Sequence, residues 1–309
     1  MKICYLIQTH GNPKQIERLV HRVKQLSPKA QVLVSHDFTN CDLDLSMFQA
    51  LSDVAIIPSR GGRGNFLIVQ SYLDAIEWLL NNGHDFDWLT NLSGQDYPIQ
   101  PLSEVEKFLG QTDYDGFIHH FEVFSKECPW KPHEAYSRYF YKYQTLVSHL
   151  PEWQRKCLKP IKALNYIQPF FRVNFSYGIT FGLKTSVPFN QAFVCYGGSF
   201  LCTLSRECVE CLRNFVKSNP TILNYYQGVA NPDECFIQTV LLNSRLFKLC
   251  NDCKRYFDFS QTRNGHPRIL STADFPALAN SQAHFARKFD PAEDQEILDL
   301  IDDRLLQVV

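Results

Sequence analysis

The chain has 309 residues, enough for one large domain or two small ones, and its 31 basic residues against 32 acidic leave a formal net charge of −1. That balance excludes a generic nucleic-acid-binding surface, and no run of about 18 apolar residues offers a membrane span. The 24 Phe and 14 Tyr go beyond a minimal core and point to aromatic-lined surfaces as well.

The N-terminus runs at once into a strand, residues 2–9, with no signal-type segment before it. A polar turn through Pro13 follows. Apolar residues at 16, 19, 20, 23 and 26 then keep helical spacing, and a second strand covers Gln31 to Ser35. Strand, helix and strand in so short a span make a parallel β-α-β unit, whose sheet must be covered on both faces. Asp37, just past the second strand, stands where such folds read a nucleoside, or is a simple turn aspartate. Val54 to Pro58 is a third strand. Gly61-Gly62-Arg63-Gly64 resembles a phosphate loop in composition only, since neither Walker nor dinucleotide spacing is met; Arg63 is placed at the strand-to-helix junction before a helix over 66–80.

A strand ending at Leu92 leads into Leu92-Ser93-Gly94-Gln95-Asp96-Tyr97-Pro98-Ile99, which sets a carboxylate at a strand end. Ser103 with Glu106 three residues on reads as a capping box, and Asp115 to Ile118 as another strand. From His119 to Phe171 the pattern loosens into a polar-aromatic insertion, with a helix expected over 134–148. His119, His120 and Glu122 look like a metal site only superficially, because adjacent residues of a strand point to opposite faces. Residues 170–183 read as paired strand. Gly197-Gly198 reads either as a hairpin turn or as a place where a ligand or another segment nears the backbone. Ser205 caps a helix over 206–217, a turn-rich connection runs to Asn231, and Pro232-Asp233-Glu234 opens the next helix. Cys253 to Phe259 is aromatic and strand-like, Gly265-His266-Pro267-Arg268 is a turn, and Pro291 precedes an acidic helix over 293–306.

The 11 cysteines include two C-x-x-C spacings, Cys250/Cys253 and Cys208/Cys211, the second on an expected helix, and reduced thiols in a cytoplasm are favoured over zinc. Peripheral attachment at the inner face of a membrane stays open.

These pieces combine a carboxylate in a helix-opening turn (Glu234), a strand-end carboxylate (Asp96) and cations late in the chain (Arg268, Arg287, Lys288) around a parallel sheet. Cations suit a diphosphate, and a carboxylate opposite them suits a general base acting on a hydroxyl. Together they point to sugar transfer from a nucleotide donor to an alcohol. The two Asp-x-Asp spacings, Asp85/Asp87 and Asp42/Asp44, are poorly placed for a metal, which favours cations in its stead.

The blocks Leu92 to Ile99, Gly198-Ser199-Phe200 with Leu204-Ser205-Arg206, Pro232-Asp233-Glu234-x-Phe236-x-Gln238-Thr239 with Asn243, His266-Pro267-Arg268 and Phe285 to Asp290 resemble, in order, the Core-2/I-branching β-1,6-N-acetylglucosaminyltransferase family, which includes the peptide O-xylosyltransferases. The resemblance covers roughly residues 2–290. It implies an α/β, GT-A-like nucleotide-sugar-binding fold with a mainly parallel central sheet flanked by helices, and an inverting transferase that needs no metal. It further implies Glu234 as general base, Arg268 and Lys288 on the diphosphate with Arg287 beside them, and Asp37 near the donor nucleoside. Asp96, Gly198, Ser199 and Asp233 would line the substrate site. Glu122, Arg138 and an aromatic wall from Tyr256 to Phe259 would face the acceptor.

On this resemblance residues 1–309 form a single domain. Its parts are a nucleoside-binding half (1–118), a lid or acceptor-facing insertion (119–171), an acceptor and diphosphate half (172–290) and a C-terminal helix (291–309). The expected donor is UDP-GlcNAc or UDP-xylose, with no further cofactor. The expected acceptor is a glycan, glycolipid or small glycoside, in a bacterial cytoplasm. Leu201 and Phe259 depart from members that carry Trp there, which leaves sugar and acceptor open. The alternatives are a nucleotide-sugar hydrolase, a metal-dependent transferase, or a glycan-binding protein of the same fold. UDP release that no acceptor accelerates would single out the hydrolase.

Overall fold

The structure, a computed structural model, describes residues 1–62, 64–147, 150–175, 178–260 and 266–307. Arg63 and Gly265, both singled out in the sequence, lie outside the described residues.

In chain order the first half runs β1 (Ile3–Thr9), α1 (Pro13–Leu26), β2 (Gln31–His36), β3 (Val54–Pro58), α2 (Leu67–Asn81), β4 (Trp88–Ser93), β5 (Tyr97–Pro98), α3 (Leu102–Gln111) and β6 (Gly116–Phe117). The middle adds β7 (His120–Glu122), α4 (Pro132–Tyr139), β8 (Tyr141–Val147), α5 (Glu152–Leu158), α6 (Leu164–Ile167), β9 (Phe171–Asn174) and β10 (Ile179–Lys184). The last third holds β11 (Tyr196–Gly198), β12 (Thr203–Ser205), α7 (Arg206–Ser218), α8 (Pro220–Tyr226), α9 (Phe236–Ser244), β13 (Leu249–Cys250), β14 (Arg255–Phe257), α10 (Phe275–Ala279), β15 (Phe285–Arg287) and α11 (Glu296–Leu306).

The seven-stranded central sheet has the order β13-β6-β12-β4-β1-β2-β3. β4, β1, β2 and β3 are parallel neighbours, β12 is antiparallel to both β4 and β6, and β13 is parallel to β6. The α/β class with a mainly parallel sheet flanked by helices is therefore the one expected. Two apolar layers cover it. One holds α1, α3, α11 and the β5–β15 region; the other holds α2, α7 and α9. Helix α1 shows why the sequence is readable here. Asn12 caps it by accepting from the Gln15 amide, Pro13 starts it, and Ile16, Leu19, Val20 and Val23 are fully buried, each adding ~1.5–3 kcal/mol.

Six local expectations change. Ser103 does not cap α3; Pro101 occupies the cap position, and Glu106 instead accepts from Ser27 in the turn after α1. The helix expected over 134–148 ends at Tyr139. Residues 141–147 become β8, because they pair with β10 across a long loop. Since β8, β10 and β9 form one small sheet spanning 141–184, a boundary at residue 171 falls on the first residue of a strand. The connection before Asn231 contains a helix, α8, opened by Pro220. Gly197 and Gly198 lie in β11, not in a hairpin turn. Helix α11 starts at Glu296 and packs Ile297, Leu298, Ile301 and Leu305 into the core, so the C-terminal segment is part of the domain. Among the described residues no helix is long and apolar enough to cross a membrane.

Candidate active site

The carboxyl ends of β1, β2, β3 and β4 share one edge of the sheet, because the strands are parallel. β12 runs the other way, so the residues just before it, Gly198 to Leu201, return to that same edge. Asp37 after β2, Asp96 after β4 and His119 after β6 join them there. Asn231 is tied to the loop after β3 by its amide, which donates to Gly64 O at 3.0 Å. The blocks far apart in sequence thus converge on the edge where open α/β sheets bind ligands.

Pro232–Glu234 forms its own 3-10 turn, separated from α9 by Cys235 with φ −145°. The expected helix-opening position of Glu234 is thereby corrected, and the residues just before the turn are stitched to the stretch 138–143. Tyr143 N donates to Gly228 O (2.6 Å) and Ala230 N to Arg138 O (3.1 Å). The Glu234 carboxylate accepts from Arg138 Nη1, and its side chain remains 35% exposed. Arg138 Nη2 donates to Glu134 at 2.5 Å, and the guanidinium lies 4.2 Å over the Trp130 ring. Burial works against the charge of Arg138, but Glu234 and Glu134 hold it firmly protonated.

Helix α9 closes the ring. Gln238 Nε2 donates to Ser199 O (2.7 Å), Thr239 Oγ1 accepts from Tyr196 N (3.0 Å), and Asn243 accepts from Val194 N (2.8 Å) while donating to Val194 O (2.7 Å). Thr239 and Asn243 lie one helical turn apart with Gln238 next to Thr239, and these side chains satisfy the backbone of 194–199. A Cβ built on Gly197 would strike the Trp130 ring, and one on Gly198 would overlap the His119 carbonyl. What nears the backbone at these glycines is therefore another part of the chain. That seats Trp130, which stacks on Arg138, which grips Glu234. Since a main-chain carbonyl cannot swing aside, Gly198→Ala is expected to cost ~1–3 kcal/mol in urea denaturation, and parental stability would contradict this packing.

Asp233 lies beside Glu234, with its Oδ1 shielded from solvent and unpaired. Burial, reinforced by the charge of Glu234, pushes its carboxyl up to about 7.

The cations form a second cluster on the opposite layer. Arg268 donates from Nε to Asp258 (2.6 Å) and from Nη1 to Asp274 (2.8 Å), and Asp274 completes a capping box with Ser271. Lys288 is its backbone neighbour: Lys288 N donates to Arg268 O at 3.5 Å. Arg287 points elsewhere, to Asp96 at 3.3 Å. Asp96 is fully buried and also accepts from Ser93 N (2.7 Å) and Ser93 Oγ (3.0 Å). Asp96 is thus engaged within its own chain, and Arg287 is engaged with it.

Asp37 is likewise buried, accepting from Thr39 N (3.0 Å), Thr39 Oγ1 (2.6 Å), Asn40 Nδ2 (2.6 Å) and Gly61 N (2.7 Å). These bonds outweigh burial and hold its carboxyl below the usual range. Tyr256 packs on the core, Phe259 is exposed, and Glu122 is exposed on β7 opposite Tyr196. Asp85 and Asp87 pair with Lys2 at the amino end of β4, the wrong edge for this site, and Asp44 caps a 3-10 turn. Among the described residues no three His, Cys, Asp or Glu side chains gather as a metal site.

Sequence reasoning missed Trp130 and Glu134 as partners of Arg138. Glu134 precedes Arg138 by one helical turn, a spacing that marks an ion pair. Trp130 carries no such signal.

The sequence profile of the Core-2/I-branching enzyme family matches residues 3–279, and the chain belongs to that family. Arg287 and Lys288 lie beyond the matched stretch. Among its relatives, beta-glucuronosyltransferase GlcAT14A of Arabidopsis thaliana is 28% identical over 244 residues, covering 77% of this chain and 47% of the relative. Beta-glucuronosyltransferase GlcAT14B of the same plant is 26% identical over 298 residues, covering 93% and 59%. GlcAT14C is 25% identical over 326 residues, covering 99% and 74%. The chain thus spans about half the length of the first two. Of solved structures, the galactosyltransferase LgtC in complex with donor and acceptor sugar analogs aligns at TM-score 0.39 with 8% identity, covering 99% of this chain and 94% of that one. A 4-diphosphocytidyl-2C-methyl-D-erythritol synthase from Anaerococcus prevotii aligns at 0.33 with 8% identity, covering 71% and 75%.

Proposed function

We propose that the chain is an inverting glycosyltransferase that moves a sugar from a UDP-sugar to an acceptor hydroxyl. The observation that carries this reading is Glu234: a carboxylate at the carboxyl edge, fixed by Arg138 yet still open to solvent. Glu234 takes the acceptor proton as the acceptor oxygen attacks the anomeric carbon. The bond from that carbon to the diphosphate breaks in the same step, which inverts the centre. UDP leaves with the electron pair, and Arg268 and Lys288 meet the growing charge in place of a metal. The nucleoside lies over the Asp37 turn. The acceptor, a glycan, glycolipid or small glycoside, enters past Arg138 and Glu122. Among donors, the names of the plant relatives add glucuronic acid to GlcNAc and xylose.

Calorimetry with UDP, in EDTA and with manganese, tests the cation role. Binding is expected to persist in EDTA, and Arg268→Ala and Lys288→Ala are each expected to weaken it roughly tenfold to a hundredfold, the worth of a charge-assisted hydrogen bond. An absolute manganese requirement would contradict the scheme. Product analysis with UDP-GlcA, UDP-GlcNAc and UDP-xylose then identifies the donor.

A further inference from the structure

Among the described residues, nine of the nineteen exposed large apolar side chains fall between Leu146 and Leu183. Helices α5 and α6 bury no residue. Instead Trp153 is 65% exposed, Tyr166 and Ile167 77%, and Phe170 72%, with Ile161 and Leu164 exposed beside them. Singly exposed apolar residues are ordinary, but a cluster carried by two helices with no buried face is not.

The same stretch, residues 151–172, carries Arg155, Lys156, Lys159, Lys162 and Arg172 against a single acid, Glu152, in a chain whose overall charge is −1. Glu152 pairs with Lys156 at 2.9 Å, and the stretch stays positive. Tryptophan, tyrosine and phenylalanine beside lysine and arginine form the combination that settles at a bilayer surface, aromatic rings at headgroup depth and cations on anionic headgroups. A protein partner would need only the apolar part. The excess of positive charge selects a negatively charged surface.

We infer that the face built by α5, α6 and the start of β9 docks this chain on an anionic lipid surface, lying on the bilayer without crossing it. This stands independently of the sugar-transfer reading. If both hold, the active site is brought to acceptors presented at a membrane.

The full chain is tested by cosedimentation with vesicles of phosphatidylcholine alone or mixed with phosphatidylglycerol, at low and high salt. The expected result is at least roughly tenfold stronger binding to the anionic vesicles, weakened by salt. The combined Trp153→Ser, Ile167→Ser and Phe170→Ser variant is expected to lose this binding, and Arg155→Glu with Lys156→Glu to lose the anionic preference. Unchanged UDP binding by the triple variant shows that it is folded and separates failure here from failure of the donor site. Three results would overturn the inference: no vesicle binding, binding that the triple variant retains, or self-association of the parent in sedimentation velocity that the triple variant abolishes. The last would assign the face to a second copy of the chain.

Discussion

The Glu234→Gln substitution is expected to lower kcat by ~10²–10⁴-fold, the range for loss of a general base. UDP affinity is expected to stay at the parental level. The amide keeps the shape of the carboxylate and can still accept from Arg138, while Arg138 keeps Glu134 as its second carboxylate. The variant therefore removes the proposed proton acceptor without dismantling its setting. Steady-state transfer rates alongside calorimetric UDP binding separate these two effects. Equal losses in both would mean that the residue holds the fold or the donor and does no chemistry.

The second large effect concerns Asp233, whose carboxyl is pushed up to about 7 by burial and by its neighbour Glu234. At acid pH, below the ordinary carboxylate value, folded and unfolded chains both hold this proton and it contributes no difference. Between there and about pH 7 the unfolded chain has released it while the folded chain keeps it. Stability therefore falls as pH rises through that window, and above it the folded state bears the full cost of the charge. Free-energy linkage caps the penalty on the order of 4 kcal/mol, and the partial solvent contact of the residue reduces it to about 1–2 kcal/mol. Asp233→Asn is expected to remove that slope, so urea denaturation at pH 5 and pH 8 should give values closer together than in the parent. An identical pH dependence in the two proteins would show that Asp233 titrates normally.

Local signals in the sequence were enough where one segment settles its own structure. The apolar spacing of α1, the bounds of β3 and the cap at Ser205 follow from short-range chemistry. They fail where a distant partner decides. Residues 141–147 mix tyrosine with lysine and glutamine, and only pairing with β10 makes them a strand. Ser103 and Glu106 have capping-box spacing, yet Glu106 is taken by Ser27.

The candidate site divides the same way. Glu234, Arg268 and Lys288 were legible as charged residues in turns. The work of Gln238, Thr239 and Asn243 was not, because it is done on backbone some forty residues away. Nor was the burial of Asp96, a carboxylate that looked free for substrate and is occupied by Ser93 and Arg287. Composition identifies a charge, but only the fold shows whether the chain has already used it.

A crystal structure with UDP bound would weigh the whole scheme in one step. The scheme predicts Arg268 and Lys288 on the β-phosphate, and the Glu234 carboxylate separated from that phosphate by the breadth of a single sugar ring. A diphosphate bound elsewhere, or a Glu234 too distant for one hexose to bridge, would contradict it.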